Sequence, residues 1–365
     1  MKKLSIYLLT AIVIAGMALI TQNAAAQAPQ LQKVYSDNTY QFTGVAVSKT
    51  GRLFVTYPYW SNTYRYAVVE VMPNGTSKPY PDAAMNSWKK GEDGMNKWVC
   101  VQTAYVDDDD YLYIVDPAAP FLAKVVGNSN KVVKFNLKTN KIEKVYRFGN
   151  TLDNNSYIND IRVDTQKQMA YLTNSGTGGI VILDLKTGKS RQVLEDDKST
   201  KPDPNHKFII DGKEFKKQGQ PAKFNSDGIA LSPDREWLYY KTINDKILYR
   251  IRTSSLLNEK LTKLQLAGEI QNLGDVANTD GMIFDKKGNL YLGDMVNYRM
   301  VVLHPDLKAT VWFKSPLLIW PDTYSISNNG YIYISCSQIN KQPDYNNGVN
   351  KRTTPYTLFK VKLPQ

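Results

Sequence analysis

Four aspartates occupy the same place in a repeated sequence pattern. Each opens a short segment of alternating apolar residues, and they are Asp160, Asp227, Asp280 and Asp322. Carboxylates in a narrow site of low dielectric constant repel one another, so we expect a bound cation or hydrogen bonds from neighbouring N–H groups to relieve the repulsion. A positioned carboxylate can also transfer a proton. The pattern therefore predicts a ligand or cation site, with Asp227 and Asp280 as candidate catalytic groups.

A second set of residues is predicted to bind a ligand at the same site. Three of them end the second apolar segment of their copies of the pattern: Asp116, Asn174 and Asp294. Aromatic side chains are expected to add a surface suited to a flat organic ligand; they are Tyr57, Tyr59, Trp60, Tyr64 and Trp320.

Six copies of one unit provide the elements that position these residues. Each copy has an apolar segment, a turn rich in Asp, Asn or Gly, and a second segment with an aromatic residue; these aromatics are Phe54, Tyr113, Tyr171, Tyr239, Tyr291 and Tyr333. A third strand follows each copy, and a fourth follows most of them. Four short strands per copy are typical of β-propeller blades. We therefore predict an all-β, six-bladed β-propeller with the aspartates at one end of its central channel, the top.

The two ends of the chain are predicted to complete one blade together. The sixth copy ends after its third strand, and a lone strand at residues 31–35 precedes the first copy. This strand can cover the edge that the sixth blade would otherwise expose. Residues 27–365 are therefore predicted to form a single domain.

Long loops are predicted at the top of this propeller. They cover residues 116–131, 195–226 and 336–355, and long loops on a rigid scaffold commonly carry binding sites. The middle loop is predicted to be a lid, and its His206 is the candidate imidazole acid or base. The lid therefore adds a third catalytic candidate to the two aspartates.

The composition restricts the kind of metal site. The chain has two histidines and two cysteines, which excludes a His-rich centre or a four-thiolate zinc site. Clustered carboxylates favour Ca²⁺ or Mg²⁺, so Asp227 and Asp280 are also predicted as ligands of a Ca²⁺ ion. A bridge between Cys100 and Cys336 stays open.

The N-terminus has the features of an export signal. Lys2 and Lys3 precede an apolar run over residues 4–20, and alanines at 24–26 form a cleavage site. We predict a signal peptide over residues 1–26 and a secreted or periplasmic protein, with no membrane span after cleavage. The formal net charge of +12 comes from scattered lysines without a nucleic-acid-binding motif. The expected partner is a small molecule, and the expected state is a monomer.

Several motifs, in order along the chain, carry a family resemblance: YINDIRVD (157–164), GIVILDLKTG (179–188), PDP (202–204) with DGKEF (211–215), DGIALS (227–232), LYRI (248–251) and WPD (320–322). The sequence resembles the Yellow/major royal jelly protein family from about residue 40 to its end. The resemblance implies a secreted six-bladed propeller. Insect members include dopachrome-converting proteins, and others bind biogenic amines. The family offers no agreed catalytic residues to transfer.

A weaker resemblance is to the gluconolactonase/senescence-marker propellers, which are metal-dependent lactonases. It rests on the Thr279-Asp280-Gly281 segment and on the following Gly-Asn-Leu-Tyr at 288–291. Those proteins take a metal ligand from a Glu-Gly-Pro segment where this chain has Phe42-Thr43-Gly44. They have an Asn where this chain has Asp227, so the ligand set does not match.

Three functions remain open from the sequence. The first is isomerisation or tautomerisation of a quinone-like or cyclic substrate, with Asp227 or Asp280 accepting the proton. The second is metal-assisted lactone hydrolysis. The third is binding without catalysis, in which the aspartates hold an ammonium group and the aromatics its ring.

Overall fold

The strands of the structure form six four-stranded antiparallel sheets. The computed structural model describes residues 29–364, and the predicted signal peptide lies outside them. In blades one and two the strands are β2 (Gly44–Val47), β3 (Leu53–Thr56), β4 (Val68–Val71), β5 (Ser77–Pro79), β6 (Thr103–Val106), β7 (Tyr111–Asp116), β8 (Lys131–Asn136) and β9 (Lys141–Arg147). In blades three and four they are β10 (Ile158–Asp164), β11 (Met169–Asn174), β12 (Ile180–Asp184), β13 (Ser190–Val193), β18 (Ser226–Leu231), β19 (Trp237–Thr242), β20 (Ile247–Arg252) and β21 (Gln271–Asp275). In blades five and six they are β22 (Met282–Phe284), β23 (Leu290–Asp294), β24 (Arg299–Leu303), β25 (Ala309–Lys314), β26 (Pro321–Ile326), β27 (Tyr331–Cys336), β28 (Tyr356–Lys362) and β1 (Gln32–Asp37).

The sixth blade joins the two ends of the chain. Its strand order is β1-β28-β27-β26, and the pairing of β1 with β28 runs from Gln32 opposite Lys360 to Asp37 opposite Tyr356. Tyr35 is buried, and its hydroxyl lies 2.9 Å from that of Tyr57 in the first blade. The six-bladed propeller and its closure by the N-terminal strand are therefore confirmed, with this strand two residues longer at its C-terminal end than predicted.

Apolar side chains fill the spaces between neighbouring blades. Between blades one and two, for example, Tyr80 packs with its ring 4.9 Å from that of Phe54 and 5.1 Å from that of Phe135. The inner strands β2 and β3 are buried at every position. Both faces of each sheet meet another sheet, which explains why the inner strands are buried on both faces.

Two insertions depart from the regular blade. Two short helices, α1 (Thr253–Leu257) and α2 (Lys263–Gly268), lie between β20 and β21, and the repeat pattern did not predict them. The start of α2 has a local signal, because Thr262 and Gln265 form a capping box. Two hairpins lie within residues 195–226: β14 (Ile209–Ile210) with β15 (Lys213–Glu214), and β16 (Lys216–Lys217) with β17 (Gln220–Pro221).

Hydroxyl groups connect the blades around the top of the channel. Thr173 Oγ1 of blade three donates a hydrogen bond to the carbonyl of Asp227 in blade four at 2.6 Å. Thr56 Oγ1 donates likewise to Gln102, just before blade two, at 2.8 Å. Ser335 of blade six donates to Thr43, next to blade one. These bonds fix the backbone that carries the channel residues.

The glycine of an Asp-Gly pair allows the backbones of two neighbouring blades to approach each other closely. The Gly281 N–H donates to the Asp322 carbonyl at 2.9 Å, and a Cβ atom on Gly281 would lie 2.2 Å from that oxygen. A Cβ atom on Gly228 would likewise lie 2.2 Å from the Asp280 carbonyl oxygen. The spacing of the aspartates thus depends on the glycine that follows two of them.

Replacement of this glycine tests the packing of the ring. We expect Gly281→Ala to lower the free energy of unfolding by about 2 kcal/mol or more, because the backbone of the next blade must move. The matched control is Gly268→Ala, at an exposed position where a Cβ atom meets nothing within 4 Å. Urea denaturation should show a neutral or slightly stabilising effect for the control. Equal stability of the two variants would contradict the close-packed ring.

Candidate functional site

The structure buries all four ring aspartates at the top of the channel. Asp160 is in β10, Asp227 is in β18, Asp280 precedes β22, and Asp322 is in β26. The carboxyl groups of Asp227 and Asp280 are hydrogen bonded to each other, and the charges of the other two raise the pKa of Asp227. The ring predicted from the sequence therefore contains a carboxyl pair at its centre.

The two members of the pair have different environments. Burial raises the pKa of Asp227 well above its ordinary value, and the charge of Asp280 raises it further. Burial also raises the pKa of Asp280, but only to about 7, because it accepts hydrogen bonds from Asp227 and Trp320 and lies near the Lys241 charge. Trp320 Nε1 donates to Asp280 Oδ2 at 2.6 Å. Because Trp320 donates to Asp280 whereas no group in residues 29–364 donates to Asp227 Oδ1, the surroundings favour Asp280 as the ionised acceptor and Asp227 as the holder of the shared proton.

Two oxygens of the ring are available to a ligand. Within residues 29–364, no group hydrogen-bonds Asp227 Oδ1 or Asp322 Oδ2, although both atoms are buried. Burial and the charge of Asp280 raise the pKa of Asp322 well above its ordinary value. Buried polar atoms without partners are costly, so these oxygens are suited to hydrogen bonds with a bound molecule.

Aromatic side chains surround the pair. A cavity of about 40 Å³ is lined by both carboxyl groups together with Trp60, Tyr157 and Trp320. Trp60 Nε1 donates to the Tyr157 hydroxyl at 3.0 Å, and that hydroxyl donates to Gln102 Oε1 at 2.8 Å. This space is far smaller than the ~300 Å³ or more of an ordinary ligand pocket. An organic ligand therefore requires the top of the site to open.

The cover of the site consists of two loops, the lid (residues 195–226) and the C-terminal loop (residues 336–355). Phe215 of the lid packs 5.3 Å from Trp320 and stacks on Tyr345 of the C-terminal loop with ring centroids 4.4 Å apart. Phe208 and Ile339 are buried in the same cluster. The lid predicted from loop length thus packs over the cavity through apolar contacts.

A polar contact at Asp211 joins the two loops. Asp211 Oδ2 accepts hydrogen bonds from Lys341 Nζ at 2.5 Å and Asn340 Nδ2 at 3.2 Å, and the Tyr298 hydroxyl also donates to the carboxylate. Burial alone would raise the pKa of Asp211, but the hydrogen bonds from Lys341 and Tyr298 lower it below its ordinary value. The ionised carboxylate holds the lid against the C-terminal loop.

Three predicted ligand-binding residues instead hold the surrounding backbone. Asp116 is buried, pairs with Lys131 Nζ at 2.9 Å and accepts from the N–H groups of residues 99, 100 and 118. Asn174 accepts from the Tyr157 N–H at 2.9 Å. Asp294 pairs with Arg299 Nε at 2.7 Å. Through these contacts the three side chains support the loops at the top of the propeller.

The other predicted residues divide between the cavity and the surface. Trp320 and Trp60 line the cavity, whereas Tyr59 stacks on Tyr64 with ring centroids 4.3 Å apart, beside Trp88. His206 is exposed on the lid. The structure therefore gathers the aspartates and two tryptophans and places the imidazole at the surface.

Two buried cations near the ring were missed by the sequence analysis. Lys241 donates from Nζ to the carbonyl of Thr242 and to that of Asp245 at 2.8 Å, and burial lowers its pKa to about 8. Arg162 lies 3.8 Å from Asp160 Oδ2. A basic residue within a predicted inner strand was the available signal in both cases.

The predicted Ca²⁺ site lacks a ligand set in the described part of the chain. Among residues 29–364, no group of three or more His, Cys, Asp or Glu side chains could hold a metal ion. The predicted ligands Asp227 and Asp280 instead share a hydrogen bond. Cys100 and Cys336 are both buried and free, so the structure contains no bridge between these two residues of the described chain.

The fold and the site define a six-bladed propeller with a lidded carboxyl pair at the top of its channel. Residues 99–363 match the model of the family described as Major royal jelly protein. The chain therefore belongs to the major royal jelly protein family, which confirms the resemblance found in the motifs. A search of curated proteins gave no match.

Solved structures with similar folds come from several functional classes. Virginiamycin B lyase from Staphylococcus aureus is 15% identical with a TM-score of 0.52, over 92% of this chain and 100% of that one. A gluconolactonase from Xanthomonas campestris is 12% identical with a TM-score of 0.55, over 92% of this chain and 90% of that one. Regucalcin from Agrobacterium tumefaciens, described as calcium-binding, is 11% identical with a TM-score of 0.53, over 90% of this chain and 93% of that one. At these identities the similarity shows the fold alone.

Proposed function

We propose that the protein is exported and binds a small aromatic amine at the Asp227–Asp280 pair beneath the lid. The observation that carries this proposal is a buried, hydrogen-bonded carboxyl pair with tryptophan and tyrosine side chains around it. The export signal in the sequence supports the location. In the described chain, no helix is long and apolar enough to cross a membrane.

The carboxyl groups around the pair favour a cationic ligand. Four buried carboxyl groups lie at the top of the channel, and the nearby Lys241 uses its ammonium group on backbone carbonyls. A ligand ammonium group can displace the shared proton and form charge-assisted hydrogen bonds to both aspartates. The rings of Trp60 and Trp320 can then contact the aromatic part of the ligand.

The same pair supports a catalytic version of this function, tautomerisation. In a redox-neutral proton shift, ionised Asp280 takes a proton from a substrate carbon while Asp227 donates its proton to the substrate oxygen. The family's dopachrome-converting members favour this reaction over others. Lactone hydrolysis is less well supported, because it requires a metal ligand set that the described residues do not assemble.

Binding of tyramine tests the proposal. We expect tyramine to bind at pH 8 and to bind at least about tenfold more weakly to Asp280→Asn, since a hydrogen bond to a charged group contributes about 1.5–3 kcal/mol. Affinity of the wild type should fall as pH decreases through 7, where Asp280 gains a proton. Isothermal titration calorimetry provides the measurement.

A neutral ligand and a distant aspartate are the controls for this titration. Benzyl alcohol should bind weakly to both proteins, and Asp306→Asn, in an exposed turn, should retain tyramine affinity. Equal tyramine affinity of wild type and Asp280→Asn would contradict the proposed site. For the catalytic version, Asp227→Asn should fold but lose dopachrome conversion; an unchanged rate would exclude Asp227 as the acid.

A further inference from the structure

A second cavity occupies the lower half of the central channel. Its volume is about 430 Å³, ten times that of the cavity beneath the lid. The first strands of all six blades contribute to its wall, through Val45, Val106, Val163, Leu231, Ile283 and Ile326. Each blade therefore contributes an apolar side chain to a wall that also contains polar groups, and the space is large enough for a small organic molecule.

Arg162 forms the inner end of this cavity. It extends from β10 across the channel, where Nη2 donates to the Met282 carbonyl of blade five at 2.6 Å, and Nη1 donates to the Ile161 carbonyl at 2.6 Å. Its side chain is 7% exposed, and no group in residues 29–364 accepts a hydrogen bond from Nε. A guanidinium group has five N–H donors, so this buried cation keeps donors for another acceptor.

The carboxylates near Arg162 leave its charge incompletely paired. The nearest, Asp160 Oδ2, is 3.8 Å away, and burial raises the pKa of Asp160 despite the opposing effect of Arg162. The Tyr105 ring contacts the guanidinium from 5.4 Å, but an aromatic ring does not replace an anion. A ligand carboxylate would supply the missing acceptor and the missing charge.

The other charged groups of the cavity are engaged or lie at its mouth. Arg235 Nη2 pairs with Asp108 Oδ2 at 2.6 Å. Asp285 accepts from the N–H groups of Lys287 and Asn289 at 2.9 Å each. Lys286 is exposed. The cavity therefore combines an apolar side chain from each blade with an excess of positive charge.

We propose that the lower channel is a second binding site for a small carboxylate with an apolar body, such as a medium-chain fatty acid. The carboxylate binds Arg162 at the inner end, and the hydrocarbon lies along the valine and isoleucine side chains. A buried guanidinium is costly without an anion, and such a ligand supplies the anion while its hydrocarbon contacts the apolar side chains. This site is separate from the carboxyl pair and takes a ligand of opposite charge.

A comparison of octanoate with octanol separates the contribution of the carboxylate to binding from that of the hydrocarbon. In calorimetric titrations of the wild type we expect octanoate to bind at least about tenfold more tightly than octanol, because the guanidinium pairs with a carboxylate but not with an alcohol. Equal affinities, or no binding of octanoate at millimolar concentration, would overturn the proposal. This comparison needs no variant.

Two substitutions then locate the bound octanoate. Arg162→Met should weaken octanoate at least about tenfold and leave octanol unchanged, since only the ionic contact is removed. Val106→Trp should fill the cavity and abolish octanoate binding with Arg162 in place. Circular dichroism and the melting temperature establish whether each variant folds. If Arg162→Met does not fold, octanoate binding by Val106→Trp is the test of the site. A folded Val106→Trp protein that binds octanoate with wild-type affinity would overturn the proposal.

Discussion

Deletion of residues 31–37 is expected to lower the melting temperature of the protein by roughly 10 °C or more. This segment contains β1, whose pairing with β28 closes the sixth blade. Its loss exposes one edge of β28 and uncovers the apolar surface that Tyr35 and its neighbours bury. The effect should be large because one missing strand opens the ring.

A strand supplied as a separate peptide provides the control for this deletion. A synthetic peptide of residues 29–40 should raise the melting temperature of the shortened protein again, because it can occupy the vacant edge. A peptide with the same residues in scrambled order should have no effect. An unchanged melting temperature after deletion would show that β1 does not close the propeller.

Replacement of Asp280 is expected to change how stability depends on pH. The pKa of Asp280 is raised to about 7 in the folded protein, above its ordinary value near 4. The folded state therefore holds a proton that the unfolded state loses, and this stabilisation disappears as pH rises from about 4 to 7. Between pH 5 and pH 8 the wild type should lose on the order of 3 kcal/mol more than Asp280→Asn.

A control variant tests whether the change in pH dependence requires the loss of a carboxyl group at the Asp280 position. Asp306→Asn is the matched control, because a hydrogen bond from the Lys308 N–H lowers the pKa of Asp306 and keeps it ionised across this range. Urea denaturation at pH 5, 6.5 and 8 gives the free energies of unfolding. If Asp280→Asn and Asp306→Asn show the wild-type pH dependence, Asp280 does not hold the proton that its surroundings indicate.

The repeat pattern predicted the fold well because its signals are local. Alternating apolar residues and Asp, Asn or Gly turns define a strand pair without knowledge of distant contacts. The missing strand of the sixth copy was likewise visible at the chain ends. The helices at 253–257 and 263–268 escaped prediction because they are short and are stabilised by packing, including the buried Leu256 and Leu266.

The position of the site could be predicted from the sequence, but the contacts of its side chains could not. Asp227 and Asp280 share the period of the blades, so their meeting at the channel follows from the fold. Asp116 and Asp294 have a similar period, but their partners Lys131 and Arg299 come from the next strand. The packing of Phe215 on Trp320 joins residues 105 positions apart, and no local signal predicts such a contact.

The protonation of the carboxyl pair can be measured directly by infrared difference spectroscopy. The spectrum of Asp227→Asn is subtracted from that of the wild type at pH 8, above the pKa of Asp280, and the carbonyl band of a protonated carboxylic acid is examined. The structure predicts that the wild type has one such group more than the variant, with Asp280 as its ionised partner. Identical carboxylic acid bands in the two proteins would show that Asp227 is ionised and would contradict the acid–base pair.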